Sequence, residues 1–336
     1  MNKKKWIKIF KFLIIIFLLK FVPHAQAQDQ LLKKIESPII FKGNDTIAYR
    51  DPAVLFHDNK FHLFFTVVKT EENRNINSYT AQTVSDDLMN WSKPKIITPN
   101  GQHLNYSSPG NIIQFKDEWI LCLQTYPRPD YKRGDQLKWA NESARIFIMR
   151  SKDLKKWSKP ELLKVKGAEI PINEMGRMID PYLLEDKDEP GKWWCFYKQN
   201  GVSFSYTYDF INWIFVGHTH SGENVSVLVE NDEYTLIHSP TNGIGIKRSK
   251  DFVNWKDDEE LVTLGQEEWP WAENRLTAGT IIDLRKEAEI NNYIMFFHGG
   301  GPGKEKTQDN VDANCSIGIA WSKDLKNWEW PGKDRP

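Results

Sequence analysis

Three carboxylates stand at comparable points of a repeating sequence: Asp51 in Arg50-Asp51-Pro52, Asp180 in Ile179-Asp180-Pro181, and Glu223 in Gly222-Glu223-Asn224. Each proline fixes φ and is expected to push the aspartate before it into extended backbone. Three acids at one pocket cannot all keep ordinary pKa values, because neighbouring like charges raise at least one of them. One protonated and one ionised carboxyl is the pair that acid/base cleavage of a glycosidic bond requires. Asp51, Asp180 and Glu223 are therefore the expected catalytic set. Arg50 and Arg177 flank the acids and are expected to bond hydroxyls or hold a carboxylate. Asn111, Asn224, Arg275 and His298 are expected pocket liners, and Trp269 and Trp271 are placed to stack on a sugar face or to pack between sheets. No His/Cys cluster has zinc-ligand spacing, so no metal ligands are assigned.

Acids so far apart in sequence need a repeat to bring them together, and the chain contains one. Ser85-Asp86-Asp87-Leu88-Met89-Asn90-Trp91 recurs around Asp153, Asp251 and Asp324, with a weaker copy around Asp209. The spacings of 66, 56, 42 and 73 residues are irregular, as expected when loops of different length sit on a constant unit. The repeated aspartate reads as turn chemistry, accepting nearby backbone N–H groups, while the Leu and Trp plug neighbouring sheets. Before each copy lie short β-branched or aromatic runs: Ala53 to Phe56, Lys60 to Val67 and Tyr79 to Val84 in the first unit, with counterparts in the other four. The segment after each Trp supplies a fourth strand. Four-stranded units arrayed radially predict an all-β fold, a five-bladed β-propeller in which each blade is a four-stranded antiparallel sheet. The opening residues of each first strand would then face a common axis.

The chain has 336 residues, 40% hydrophobic and 27% charged, which is ample for a packed core and too balanced for disorder. Basic and acidic residues both number 45, so no cationic excess argues for a nucleic-acid partner. Three cysteines (Cys122, Cys195, Cys315) are too few for a disulfide framework. Residues 1–27 read as a secretory signal peptide: Lys3 to Lys5, an apolar run, then Ala25-Gln26-Ala27. Its uncharged core, Phe12 to Leu19, is far shorter than the ~20 residues a membrane helix needs. Removing the segment leaves 39 basic against 45 acidic residues, a net of about −6. Residues 28–336 are expected to form a single domain, soluble after cleavage, in the periplasm or outside the cell.

The same residues resemble the five-bladed propeller glycoside hydrolases: the arabinanase/xylosidase-like enzymes of family 43, the fructosidases of family 32 and the anhydrogalactosidase-like family 117. Arg50-Asp51-Pro52 and Ile179-Asp180-Pro181 match the family's first- and third-blade acids. Glu223-Asn224-Val225 stands where family 43 has Glu-Gly-Pro, and Arg275 to Gly279 lacks the histidine that often supports an axial metal, although His298 ends a later strand. The resemblance implies Asp51 as general base, or nucleophile in fructosidase-like relatives, Asp180 as the acid that orients and tunes, and Glu223 as general acid. In family 117 a histidine takes the acid role. It implies no required cofactor, with a structural calcium on the axis as an option, and an oligo- or polysaccharide of plant or algal type as substrate. A non-catalytic glycan-binding propeller and a glycosyl-transferring relative are the alternative readings.

Overall fold

The computed structural model describes residues 30–99, 104–136, 142–258, 260–301 and 313–333. The expected signal segment lies outside the described residues. The described residues contain β-strands and three short 3-10 turns, with no α-helix. No helix among them is long and apolar enough to cross a membrane.

Twenty-one strands follow in order. Strand β1 is Ile39–Phe41. Strands β2 (Ile47–His57), β3 (Lys60–Thr70), β4 (Ile76–Ser85) and β5 (Lys95–Ile96) form one antiparallel ladder. Strands β6 (Tyr106–Phe115), β7 (Glu118–Tyr126), β8 (Arg145–Ser151) and β9 (Glu161–Leu162) form a second. A single parallel pair, Ser78 with Tyr106, joins the two into one eight-stranded sheet. Strands β10 (Ile179–Glu185), β11 (Trp193–Lys198), β12 (Val202–Thr207) and β13 (Ile214–Thr219) make a four-stranded sheet. Strands β14 (Glu223–Glu230), β15 (Glu233–Ser239), β16 (Gly245–Ser249) and β17 (Lys256–Asp257) make another. The last sheet holds β18 (Arg275–Asp283), β19 (Tyr293–Gly300), β20 (Ser316–Ser322) and β21 (Trp328–Glu329).

The expected all-β class and four-stranded antiparallel ladders are present, and the fourth strands follow the repeated tryptophans, the last one starting at Trp328 itself. Two features differ from the sequence expectation. Strand β1 pairs with β20, Ile39 opposite Gly318 and Phe41 opposite Ile317, so the chain start is stitched onto the last sheet. Three apolar residues with no repeat partner gave no sign of this. The first strands are also longer than expected: they run through the acid positions rather than starting after them.

The packing is sheet against sheet. Phe61, Leu63 and Phe65 of β3 meet Ile294 and Phe296 of β19 and Ile317 and Ile319 of β20. Ile120 and Cys122 of β7 meet Trp193, Cys195 and Tyr197 of β11. All three cysteines are buried free thiols. Strands β2, β6, β10, β14 and β18 touch one another in a closed cycle, β18 returning to β2. That cycle sets the opening residues of the first strands around one axis.

The repeated turn behaves as expected. Asp87 Oδ1 accepts the Met89 and Asn90 N–H groups, and Trp91 Nε1 donates to the Leu88 carbonyl. Leu88, Leu154, Phe210, Phe252 and Leu325 all take a left-handed backbone, φ 56–63°. The carboxylates are spent on the turn, so these copies carry architecture rather than chemistry.

Candidate active site at the convergence of the first strands

Each first strand breaks register once. Two residues of β2 (Asp51, Pro52) lie between the pairs Arg50–Thr66 and Ala53–Phe64. The same two-residue break falls at Gly110-Asn111, Asp180-Pro181, Asn224-Val225 and Ala278-Gly279. These are β-bulges, which bend a strand and re-aim one side chain. Asp51, Asp180, Asn224 and Ala278 sit at the bulges with φ of 49°, 52°, 52° and 55°. The extended backbone expected for the two aspartates is thus corrected to a left-handed one. Asp and Asn tolerate that region best among residues with a side chain. At Gly110 close approach decides instead: a Cβ there would lie 1.9 Å from the Pro181 carbonyl oxygen.

The bulges also correct the alignment of the acids. Asp51, Gly110, Asp180, Asn224 and Ala278 are the equivalent positions, and Glu223 lies one residue ahead of its own. A narrow axial cavity of about 30 Å³ is lined by Asp51, Asp180, Asn224 and the prolines and glycines beside them, and Glu223 does not line it. Asn224 links the two aspartates: its N–H donates to Asp180 Oδ2 at 2.9 Å, and its amide reaches Asp51 Oδ1 at 3.5 Å.

Asp51 is buried, and its two oxygens differ. Oδ2 accepts Thr66 Oγ1 at 3.0 Å and Ser108 Oγ at 3.1 Å, whereas Oδ1 has only the long Asn224 contact and lies 3.6 Å from His298 Nδ1. Burial pushes its pKa up, but the Arg50 charge and the two hydroxyls outweigh burial and hold it below the ordinary carboxylate value. His298 adds to this only at acid pH. Complete burial drives its own pKa to about 3, so the ring is neutral, with Nδ1 accepting the Asp51 N–H at 3.1 Å. Asp180 is displaced the other way, to about 7, by burial first and then by the charges of Glu223 and Asp51. Its N–H donates to Gln124 Oε1. The three acids therefore share one electrostatic neighbourhood, with one held ionised and one held protonated into the neutral range.

The glycosyl hydrolases family 32 N-terminal domain model matches residues 49–242. The chain belongs to that family. No curated protein matches it at a significant level. Among solved structures it is similar to a family 62 hydrolase complexed with xylotriose (TM-score 0.60, 15% identity, 85% of this chain and 96% of that one). It is similar to a family 117 glycoside hydrolase of Zobellia galactanivorans (0.58, 15%, 86% and 87%). A third is an exo-1,5-alpha-L-arabinanase from a bovine ruminal metagenomic library (0.55, 14%, 83% and 93%). At these identities the likeness is one of fold. The chain is a propeller glycoside hydrolase of the group its sequence resembles.

In this family 32 domain the other expected site residues fall into two sets. Arg50 is buried beside Asp51, Arg177 acts on Asp180, and Arg275 acts on His298. The remaining three are placed in packing roles instead. Asn111 donates to and accepts from the main chain of Leu183 at 2.8 Å each way, so its amide staples β6 to β10. Trp269 and Trp271 stack on one another with centroids 5.2 Å apart and on Phe297, inside the apolar cluster of β18, β19 and β20. Thr66, Ser108 and Gln124 are residues that sequence reasoning missed. Their one signal is position: Ser108 precedes a bulge, and Thr66 and Gln124 lie opposite bulged strands.

Calcium takes six to eight oxygen ligands. The axial cavity offers two carboxylates already engaged in hydrogen bonds, and no group of three or more ligating His, Cys, Asp or Glu side chains occurs among the described residues. These residues do not fit a calcium site.

Proposed function

We propose that this family 32 domain is an exported, five-bladed glycosidase acting on an oligo- or polysaccharide of plant or algal type, with Asp51, Asp180 and Glu223 as its catalytic carboxylates. Five copies of the Asp-x-x-x-Trp turn and five bulged first strands, each backed by its own antiparallel ladder, support the blade count. The signal-like residues 1–27 support export to the periplasm or beyond, with residues 28–336 as one domain and no lasting membrane or nucleic-acid partner. The arabinanase and xylotriose-bound neighbours favour a plant-type glycan.

The observation that carries the mechanism is the splitting of two carboxyls around one cavity: Asp51 held ionised, Asp180 protonated up to about pH 7. Family 32 membership favours Asp51 as nucleophile over general base. Its Oδ1, the oxygen without hydroxyl donors, attacks the anomeric carbon. Glu223, outside the cavity lining, delivers a proton to the leaving oxygen, and Asp180 orients and tunes it. Water then attacks the glycosyl-enzyme, gives its proton back to Glu223, and frees Asp51. The product keeps the anomeric configuration of the substrate.

The test is Asp51→Asn and Glu223→Gln on arabino-, xylo- and fructo-oligosaccharides, with product configuration read by NMR. Loss of the general acid in Glu223→Gln is worth about 10²–10⁴-fold in rate, and loss of the nucleophile in Asp51→Asn should abolish the covalent step. Full activity in either variant would falsify the assignment of that residue. Tight binding without turnover by the unmodified chain, measured by calorimetry, would make it a glycan-binding propeller instead.

A further inference from the structure

The segment His220-Ser221-Gly222 links β13 to β14 and carries Glu223 at its end. Three side chains from three strands grip its three consecutive residues. Lys247 Nζ, on β16, donates to the His220 carbonyl at 2.6 Å. Lys198 Nζ, at the end of β11, donates to the Ser221 carbonyl at 3.1 Å. The Gly222 N–H donates to His238 Nδ1, on β15, at 2.9 Å. Lys247 and His238 are buried, 4% and 7% exposed, although burying an ammonium group is costly. A Cβ on Gly222 would lie 2.1 Å from the Ser239 carbonyl oxygen, so the link is pressed onto β15 as well as bonded to it.

A solvated linker needs none of this. Ammonium groups are spent on main-chain carbonyls in this way where the path of the chain itself must be fixed. The residue whose place is fixed is the next one. We propose that Lys198, His238 and Lys247 are positioning residues for Glu223, holding its Cα so that its carboxyl meets the leaving oxygen. This rests on the reading of Glu223 given above. A misplacement of about 1 Å by a group outside the chemistry can cost roughly 10²-fold in rate. Burial, the largest cause, and then the Lys247 charge push the His238 pKa to about 4. The ring is therefore neutral above that pH, with Nδ1 as acceptor and the proton on Nε2.

The test uses the full chain and whichever member of the arabino-, xylo- and fructo-oligosaccharide panel it cleaves fastest. His238→Leu removes the acceptor, and His238→Asn restores one near the Nδ1 position. Lys247→Met removes a donor. Because Lys247 also pairs with Asp257 at 3.3 Å, Asp257→Asn is its control. Lys198→Met, at a half-buried strand end, serves if a buried variant fails to fold. The expected result is a 10–100-fold fall in kcat with KM within twofold for the Leu and Met variants, recovery in His238→Asn, and no change in Asp257→Asn. The same variants shift the Glu223 side-chain carboxyl resonance in NMR, a readout independent of turnover. Folded Leu and Met variants with unchanged kcat and an unmoved resonance overturn the proposal. So does loss of stability together with activity that His238→Asn fails to restore. Full activity in Glu223→Gln is a separate failure, of the role assigned to Glu223 itself.

Discussion

Thr66→Val deletes one hydroxyl from the pocket of Asp51 while keeping side-chain shape. The Thr66 proton reaches Asp51 Oδ2 directly at 3.0 Å or through Ser108 Oγ at 2.8 Å, and both routes end on the same oxygen. A hydrogen bond to a charged group contributes about 1.5–3 kcal/mol, and one pKa unit corresponds to about 1.4 kcal/mol. Ser108 still donates in the variant, so the lower end applies and the Asp51 pKa rises by about one unit. Asp51 acts ionised, so activity exists above its pKa. The acid limb of kcat/KM against pH therefore moves to higher pH by about one unit, and Thr66→Val/Ser108→Ala moves it further. Stability gives a second reading with its own sign. The folded pKa of Asp51 lies below its unfolded value, so its contribution is present above the unfolded pKa and is lost as pH falls through the lowered one. Denaturant unfolding should show Thr66→Val weaker than the unmodified chain by about 1–2 kcal/mol at pH 7, the difference shrinking toward pH 2. A folded variant whose acid limb stays in place would mean that Asp51 is not the group setting it.

Asp180→Asn should separate function from stability. The folded pKa of Asp180, about 7, exceeds its unfolded value, so ionising it in place costs stability increasingly as pH rises from about 4 through 7. The variant should melt about 2 °C or more higher at pH 8, show little gain at pH 4, and lose most activity; an equal gain at both pH values would argue against a repelled carboxyl at this half-buried position. Gly110→Ala should cost about 1–3 kcal/mol or more in denaturant unfolding, since its Cβ meets the Pro181 backbone at 1.9 Å and backbone cannot swing aside; a loss within about 0.5 kcal/mol would show that β6 and β10 can part.

Much of the fold was legible because the repeat is written in residues with one conformational use. An aspartate that must accept two N–H groups, followed by an apolar residue in left-handed backbone and a tryptophan, marks the same turn five times. In the first unit the run Lys60 to Val67 lies within β3, Lys60–Thr70, ahead of such a marker. Strand β1 was not legible, because pairing with β20 across some 280 residues leaves no local periodicity in Ile39–Phe41. Of the two roles the sequence leaves open for Trp269 and Trp271, the structure shows packing contacts: Gly265, Gly299 and Gly318 lie against the rings.

The acids show where sequence registration stops. Composition and motif located Asp51, Asp180 and Glu223 and brought them to one hub, yet aligned Glu223 with the aspartates when Asn224 is their counterpart. A bulge inserts a residue without announcing it, and a one-residue slip in a strand moves a side chain to the opposite face. That slip gives the site its asymmetry. Three equivalent acids on one ring would repel alike and share their protons evenly. Here the counterpart of the aspartates is an asparagine whose main-chain N–H donates to Asp180 and whose side-chain amide reaches Asp51, while the third carboxylate, one residue earlier, presses on Asp180 from outside the cavity. Burial raises both and each has an arginine beside it, but Asp51, supplied with two hydroxyls, is held low, whereas Asp180, given one N–H and a repelling Glu223, is raised. Asn224→Asp should blur the division: a third axial carboxylate replaces the side-chain amide, the bond to Asp51 is lost while the main-chain donor to Asp180 stays, and the pH–rate profile should narrow as the acid limb rises. A variant with both limbs where the unmodified chain has them would show that the division arises elsewhere.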